Sequence, residues 1–161
     1  MEQATFIRDT QDQFRAFLKG LGSAQPVTVL CHSDVDGLAA GAILGRGLER
    51  AGFDARVEVT GKGESAWSQV VRERLEKQPQ GALIVTDLGS RDQAILENVP
   101  TLLLDHHRPE GVPPGAQLLT GYGQEPVPTS GIMAYWCCES IADVSDLDWI
   151  AAISLLSDIG D

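Results

Sequence analysis

Short apolar runs alternate along this chain with longer segments in which apolar residues recur every three or four positions. Five runs are typical of strands and cover residues 27–31, 55–60, 82–86, 99–104 and 116–120. Helical spacing covers residues 9–21, 38–50, 65–78, 91–98, 130 to about 141, and 149–156. This alternation predicts an α/β fold, with a parallel sheet of about five strands and helices on both faces.

The most informative run is the fourth, in which three leucines are followed directly by Asp105, His106 and His107. Ligands of open α/β sheets bind beyond the carboxyl ends of the strands. Carboxylate and imidazole groups are ligands that divalent metals use in proteins. Two of the three histidines of the chain therefore lie where a metal site is expected.

Two other predicted strands end in the same chemistry. Residues 27–31 lead into His32, Asp34 and Asp36, spaced two residues apart and followed by Gly37, and residues 82–86 lead into Asp87. Taken singly, these aspartates have ordinary interpretations as helix caps or turn residues. Because all three histidines lie at strand ends beside aspartates, we favour a shared metal centre.

Such a ligand set suits two divalent ions about 3.5–4 Å apart, bridged by one carboxylate. Oxygen and imidazole ligands without thiolate favour manganese or magnesium, with cobalt or zinc as alternatives. A dinuclear centre of this kind is suited to phosphoester hydrolysis. The sequence contains neither the glycine-rich nucleotide-binding motifs nor the G-x-S-x-G motif of serine hydrolases.

Composition adds limits to this picture. The net charge of −11 argues against an extended nucleic-acid platform, unless the metal ions and a basic region elsewhere offset it. Two divalent ions would cancel four of the aspartate charges at the site. With 161 residues, no long apolar run, no secretory signal and three cysteines without metal spacing, we expect one cytoplasmic domain that does not enter a membrane.

Four segments together resemble the DHH phosphoesterase superfamily, which includes RecJ-type 5′ exonucleases, nanoRNases, cyclic-dinucleotide phosphodiesterases and manganese pyrophosphatases. The segments occur in the order of the family and comprise residues 32–37, 86–89, 105–107 and 156–161. The compact His-x-Asp-x-Asp-Gly spacing is similar to the RecJ-like branch. The resemblance implies a manganese-dependent phosphodiesterase that acts on single-stranded nucleic acid ends or short oligonucleotides.

The resemblance also implies roles for the metal ligands. The residues that would hold two Mn²⁺ ions, with Mg²⁺ or Co²⁺ as alternatives, are His32 and Asp34 for the first, Asp36, His106 and Asp158 for the second, and Asp87 between them. Asp161 competes with Asp158 for the last position. Asp158 is preferred because it follows the last predicted helix more directly.

The remaining roles concern the reacting phosphate. The resemblance implies that Asp105 orients an imidazole, that His107 faces the scissile phosphate as a donor or acid, and that a metal-activated hydroxide is the nucleophile. Arg108 adjoins His107 and is a candidate phosphate contact, although a solvated surface arginine is the more usual interpretation of such a residue. Ser130 and Gly131, at a predicted helix N-terminus, could bind a phosphate oxygen or only cap the helix.

Several alternatives remain open at this stage. The same residues would suit a cyclic-dinucleotide phosphodiesterase or a pyrophosphatase-like enzyme. A non-catalytic DHH domain in a nucleic-acid-processing assembly is a further alternative, although such a domain would have lost ligands. Superfamily members usually carry a second, C-terminal domain that grips the substrate, and we expect residues 1–161 to be the catalytic domain without it.

Overall fold

The computed structural model describes residues 2–21 and 26–158. Its centre is a five-stranded, all-parallel sheet with the strand order β2-β1-β3-β4-β5. The strands are β1 (Val27–Cys31), β2 (Ala55–Val59), β3 (Ala82–Thr86), β4 (Thr101–Asp105) and β5 (Gln117–Thr120). The predicted α/β class and number of strands are confirmed, and the predicted bounds of β1 and β3 match the structure.

Helices cover both faces of the sheet. They are α1 (Glu2–Lys19), α2 (Val35–Arg50), α3 (Gln69–Glu76), α4 (Ser130–Glu139) and α5 (Asp148–Ser157). One apolar core joins α1, α2, α4 and α5 to the sheet, and a second joins α3 and the segment before β4 to its other face. Among the described helices, none has the length and apolarity needed to cross a membrane.

The predicted helices differ from the structure at their bounds. The first begins at Glu2 rather than at residue 9, and α3 is shorter at both ends than predicted. Neither Asp146 nor Asp148 caps α5, since a short 3₁₀ turn (Ser145–Leu147) runs directly into it. Propensity and spacing locate a helix better than they locate its ends.

The predicted helix over residues 91–98 is wrong, because this segment has no regular secondary structure. Ile95 and Leu96 are nevertheless buried in the second core. The indole Nε1 of Trp67 donates to the backbone carbonyl of Gln93 at 2.6 Å, so a tertiary contact takes a carbonyl that a helix would use. A helix of eight residues is marginal on its own, and packing decides its fate.

The topology explains why the site lies where it does. After β1, the chain adds β2 on one side of β1 and then β3 on the other side. The direction in which strands are added therefore reverses between β1 and β3. Ligands of open α/β sheets bind at such a point, outside the carboxyl ends of the strands. The register aligns Cys31 with Thr86 and Thr86 with Leu104, which brings the residues that follow each strand to the same edge.

Candidate metal centre

The β1–α2 connection supplies the first predicted ligands. Asp34 is the N-cap of α2, and its Oδ1 accepts a hydrogen bond from the backbone N–H of Gly37 at 2.9 Å. Its other oxygen, Oδ2, lies 2.7 Å from Nδ1 of His32. Asp34 is therefore both the helix cap of the ordinary interpretation and a neighbour of the predicted imidazole ligand.

Gly37 lies inside the first turn of α2, because the helix begins at Val35 and not at residue 38 as predicted. A Cβ atom at this position would lie 2.5 Å from Cβ of His32 and 2.6 Å from its carbonyl oxygen. The glycine is thus required by close approach to His32. Glycine is needed at position 37 because of this contact with His32, and not because the chain turns there.

Replacing Gly37 by Ala should displace His32, since the clash involves backbone atoms that cannot move away cheaply. We expect a loss of about 1–3 kcal/mol in the free energy of unfolding, as for other overpacked sites. Weaker Mn²⁺ binding should accompany it. Denaturant unfolding and metal titration measure the two effects, with Leu38→Ala at the exposed neighbouring position as control. A Gly37→Ala protein that equals the control in both would contradict this account.

Asp36 is buried beneath the N-terminus of α4. Its two carboxylate oxygens accept the backbone N–H groups of Ser130 at 2.8 Å and Gly131 at 2.7 Å. Burial raises the pKa of Asp36, and these two hydrogen bonds oppose the increase. The N-terminus of a helix stabilises a negative charge. The N-terminus of α4 therefore holds the carboxylate of Asp36, which lies in the first turn of α2.

The same contacts bear on the predicted roles of Ser130 and Gly131. Both backbone N–H groups are donated to Asp36, and the Ser130 hydroxyl donates to Oδ1 of Asp87 at 3.0 Å. Thr129, and not Ser130, caps α4 through its hydroxyl. These two residues orient carboxylates in this structure, and their contact with a phosphate oxygen stays a prediction.

Asp87 lies at the centre of the cluster. Its Oδ2 is 3.8 Å from Nδ1 of His32, and its Oδ1 is 3.4 Å from Nε2 of His106. Its φ angle of 62° is in the left-handed region, where residues other than glycine, asparagine and aspartate are uncommon. Non-glycine residues held in this conformation are frequent at functional sites.

The electrostatics of Asp87 reflect its position among other carboxylates. Burial raises its pKa to about 6, and the charges of Asp36 and Asp34 act in the same direction. Its hydrogen bond with His106 partly opposes this shift. A buried carboxylate surrounded by others is stabilised by a cation, so the donor chemistry at this position fits a divalent metal ion.

His106 joins the remaining ligands. Its Nε2 lies 3.6 Å from Oδ2 of Asp36 and 3.4 Å from Oδ2 of Asp158. The Asp87 carboxylate raises the pKa of His106, against the effect of burial. Asp158 follows the last turn of α5, whereas Asp161 lies outside the described residues.

The ligand atoms fall into groups whose members all lie within 4.8 Å of one another. One group contains His32, Asp34 and Asp87, and another contains Asp36, His106 and Asp158. Each could hold a metal ion, and Asp87 also reaches His106. The structure thus brings all six predicted metal ligands together. The pairing of these ligands with two ions stays a prediction.

Asp105 and His107 form a separate pair beside the carboxylate cluster. One oxygen of Asp105 accepts the backbone N–H of His107 at 2.8 Å and lies 2.7 Å from its Nδ1. The other oxygen accepts the backbone N–H of Gly89 at 2.7 Å. Asp105 therefore fixes the imidazole of His107 and ties the loop after β3 to the end of β4.

The pKa of Asp105 is lowered and that of His107 is raised. Burial alone would raise the pKa of Asp105, but the hydrogen bonds from His107 hold it below its usual value. The Asp105 carboxylate in turn raises the pKa of His107 to about 9. The Asp105 contact places a proton on Nδ1, so Nε2 is the nitrogen through which His107 would act on a ligand.

A cavity of about 390 Å³ opens beside the cluster. Its walls include His32, Asp34, Asp87, His107, Arg108 and Arg91. Arg108 thus lines the cavity beside His107, and its contact with a phosphate stays a prediction. Sequence reasoning missed Arg91, because this residue begins the wrongly predicted helix over residues 91–98. Its position four residues after Asp87 was the only signal.

Comparison with solved structures identifies several with a similar fold. A crystal structure of exonuclease RecJ bound to manganese matches with a TM-score of 0.76 at 20% identity, over 93% of this chain. A structure of RecJ in complex with Mn²⁺ from Thermus thermophilus matches with a TM-score of 0.72 at 21% identity, over 96% of this chain. This chain has the RecJ fold. The predicted resemblance is thereby confirmed at the level of the fold.

A crystal structure of CDC45 from Entamoeba histolytica shares the RecJ fold with this chain, with a TM-score of 0.71 at 18% identity over 90% of this chain. This chain spans 43% and 24% of the two RecJ chains and 33% of the CDC45 chain. No protein-family model matches the sequence, and no curated protein is significantly similar to it in sequence. The activity of this chain must therefore be argued from its own residues.

Proposed function

We propose that this chain is the catalytic domain of a divalent-metal-dependent phosphodiesterase. The observation that carries the proposal is the pair of His/Asp groups at the strand ends, with Asp87 in contact with histidines of both. The RecJ structures that share its fold are described as bound to manganese, which supports Mn²⁺ as the metal. The proposed substrates are single-stranded nucleic acid ends or short oligonucleotides.

Six side chains would hold two Mn²⁺ ions, with Mg²⁺ or Co²⁺ as alternatives. We assign His32 and Asp34 to one ion, Asp36, His106 and Asp158 to the other, and Asp87 to both. When bound, such ions lower the pKa of a water molecule and neutralise the charge of the attacking and leaving oxygens. The chain itself contributes orientation, since Asp36 and Asp87 are buried and each is held by hydrogen bonds from α4.

His107 is the proposed acid of the reaction. Its side chain is about half exposed and lines the cavity, while Asp105 holds Nδ1. With its pKa raised to about 9 in the metal-free protein, the imidazole carries a proton at neutral pH. That proton on Nε2 can be donated to a phosphate oxygen or to the departing alkoxide oxygen, which leaves as a hydroxyl.

Mn²⁺ should stabilise the protein less at low pH. Because the pKa of Asp87 is raised to about 6, its carboxyl retains a proton below that pH, and a metal ion must displace it. We expect a large Mn²⁺-induced increase in melting temperature at about pH 7.5 and a small one at about pH 5. An equal increase at both pH values would contradict the role of Asp87 as a ligand.

The metal-free protein provides the control for this pH dependence. A carboxyl whose pKa is raised on folding contributes less stability as the pH rises from its unfolded value toward its folded value of about 6. The Asp87 contribution should therefore fall over this range, in the direction opposite to the Mn²⁺ effect. Asp87→Asn cannot titrate, so metal-free Asp87→Asn should lack this part of the pH dependence.

A non-catalytic domain is the second candidate, because the fold is shared with CDC45 as well as with RecJ. The two candidates differ in what they require of the side chains. A domain that serves only as a scaffold has no need of clustered ligands, whereas all six proposed ligands are present here and adjoin one another. The presence of this set favours the enzyme.

The deciding experiment measures Mn²⁺-dependent release of nucleotides from single strands of two to about twenty nucleotides. The longest available form of the protein should be used, with Asp87→Asn as control. We expect cleavage by the wild type alone, and its dependence on length would separate exonuclease from nanoRNase activity. Cyclic dinucleotides and pyrophosphate test the remaining hydrolase alternatives. Mn²⁺ binding without hydrolysis of any of these would overturn the proposal in favour of the scaffold.

A further inference from the structure

Two buried hydroxyl groups join α4 to α5 beside the metal centre. The Oγ1 atom of Thr129, which caps α4, lies 2.7 Å from the Oγ atom of Ser154 in α5. Ser154 is fully buried and Thr129 is only 3% exposed. Burial of a hydroxyl costs free energy unless the group is hydrogen-bonded, so this contact constrains how the two helices meet.

The hydrogen bonds around this contact form a continuous chain. The Ser154 hydroxyl donates to the Ala151 carbonyl at 2.9 Å. The Thr129 hydroxyl accepts the backbone N–H of Ile132 at 3.3 Å. Because a hydroxyl has one hydrogen to donate, these contacts are satisfied together when Thr129 donates to Ser154. Removal of either hydroxyl therefore leaves the other without its partner in the neighbouring helix.

Gly131 lies where α4 and α5 meet α2. A Cβ atom at this position would lie 2.6 Å from Cβ of Ser154 and 3.2 Å from Oδ1 of Asp36. The backbone N–H of Gly131 donates to the same oxygen of Asp36. The residue that holds Asp36 is therefore in close contact with α5, at the point where Ser154 lies.

Asp158 follows Ser154 by four residues. Residues four apart are neighbours on the surface of a helix, so the side of α5 that contacts Thr129 also leads to Asp158. The turn between them is tied by the Ser157 hydroxyl, which donates to the Ser154 carbonyl at 2.7 Å. Asp158 is the C-cap of α5, and its Oδ2 lies 3.4 Å from Nε2 of His106. The contact between the two hydroxyls thus lies one helical turn from a proposed metal ligand.

We propose that Ser154 and Thr129 position the ligands of one metal ion, here called the second ion, which is assigned to Asp36, His106 and Asp158. The inference rests on the proposed function, because it concerns one of the two ions of that centre. The hydrogen bond holds α5 against α4. It thereby sets the distance between Asp158, which ends α5, and Asp36, which the N-terminus of α4 holds.

The first ion provides the contrast. It is assigned to His32 and Asp34, which lie on the connection between β1 and α2. Loss of the contact between α4 and α5 should therefore leave the affinity of the first ion nearly unchanged. The affinity of the second ion should fall about tenfold, the lower end of the range for residues that position metal ligands.

The test measures Mn²⁺ affinity for each ion separately. Asp34→Asn removes a ligand of the first ion and Asp158→Asn a ligand of the second, so each background retains one ion. In the Asp34→Asn background, Ser154→Ala should weaken Mn²⁺ binding about tenfold, measured from the electron paramagnetic resonance signal of free Mn²⁺. In the Asp158→Asn background, the same change should leave binding unchanged. A merely structural role would affect both ions alike, and equal effects in the two backgrounds would overturn the inference.

Variants of Thr129 supply the second half of the test, and they carry it alone if Ser154→Ala does not fold. In the Asp34→Asn background, Thr129→Ser keeps the hydroxyl and should bind Mn²⁺ as the background does. Thr129→Val keeps the shape without the hydroxyl and should weaken binding about tenfold or more, since the cap of α4 is also lost. Equal binding by these two variants would overturn the inference.

The double variant tests whether the two hydroxyls act as a pair. Ser154→Ala should add little to the effect of Thr129→Val in the Asp34→Asn background, because their hydrogen bond is already absent. Losses of affinity that simply add would show that the hydroxyls act independently, and they would overturn the proposed pair.

Ser140→Ala is the matched control. The Ser140 hydroxyl also donates to a carbonyl three residues earlier, that of Cys137, but at the C-terminal end of α4. This variant should leave both affinities unchanged, and a tenfold loss at the second ion would overturn the inference. If Mn²⁺ binds but no phosphodiester is hydrolysed, the proposed function fails while the binding result still decides this inference. A wild type that binds no Mn²⁺ would overturn both.

Discussion

Asp87→Asn should reduce phosphodiester hydrolysis by about 10³-fold or more, because metal ions supply several kcal/mol of charge stabilisation in such reactions. Asp87 contacts His32 through one carboxylate oxygen and His106 through the other, so its carboxylate adjoins a histidine of each group. Asparagine tolerates the left-handed backbone at this position, so the variant should remain folded. Steady-state hydrolysis and thermal unfolding measure the two effects.

Two further variants complete this test. Asp87→Ala should also abolish hydrolysis, with an added loss of stability because alanine is unfavourable at a φ of 62°. Asp54→Asn changes an exposed aspartate that pairs only with Arg56 among the described contacts, and it should leave activity unchanged. Turnover near the wild-type rate in Asp87→Asn would contradict the assignment of Asp87 to both ions.

Asp105→Asn should lower activity about 10- to 100-fold, the range found for partners that orient metal or catalytic histidines. Its free energy of unfolding should fall by about 1–3 kcal/mol, since a buried acceptor of three N–H groups is weakened. The contacts at risk are those with Gly89 and with the backbone and Nδ1 of His107. The loop after β3 would lose one of its links to β4.

A spectroscopic readout separates orientation of His107 from a general loss of stability. The Asp105 carboxylate raises the pKa of His107 to about 9, so an NMR titration of the imidazole should show a lower pKa in Asp105→Asn. The folded His107 then keeps its proton over a narrower range of pH. An unchanged His107 pKa in a folded Asp105→Asn protein would show that Asp105 does not act through this imidazole.

Much of the site could be predicted because its ligands follow apolar runs directly. His32, Asp87 and Asp105 each come immediately after a buried strand or end it, and parallel strands bring such residues to one edge. An unbroken apolar run of short length is a local property, so β1 and β3 could be placed to the residue. Five of the six proposed metal ligands adjoin one another for this reason, whereas the sixth, Asp158, follows helix α5.

The parts that could not be predicted depend on contacts between residues far apart in sequence. The backbone N–H groups of Ser130 and Gly131 reach Asp36 across more than ninety residues, and no local pattern encodes this meeting. The segment containing Arg91 has helical spacing, yet its contacts with Trp67 and Glu110 hold it in an irregular conformation. In the second case, tertiary packing overrides helical propensity.

The number of Mn²⁺ ions bound to each chain tests the central claim most directly. Equilibrium dialysis followed by metal analysis should find about two ions in the wild type and about one in Asp34→Asn and in Asp36→Asn, since each variant removes a ligand from a different ion. Asp87→Asn should weaken both. A wild type that binds fewer than two ions, or two single variants that both retain two, would contradict the dinuclear centre.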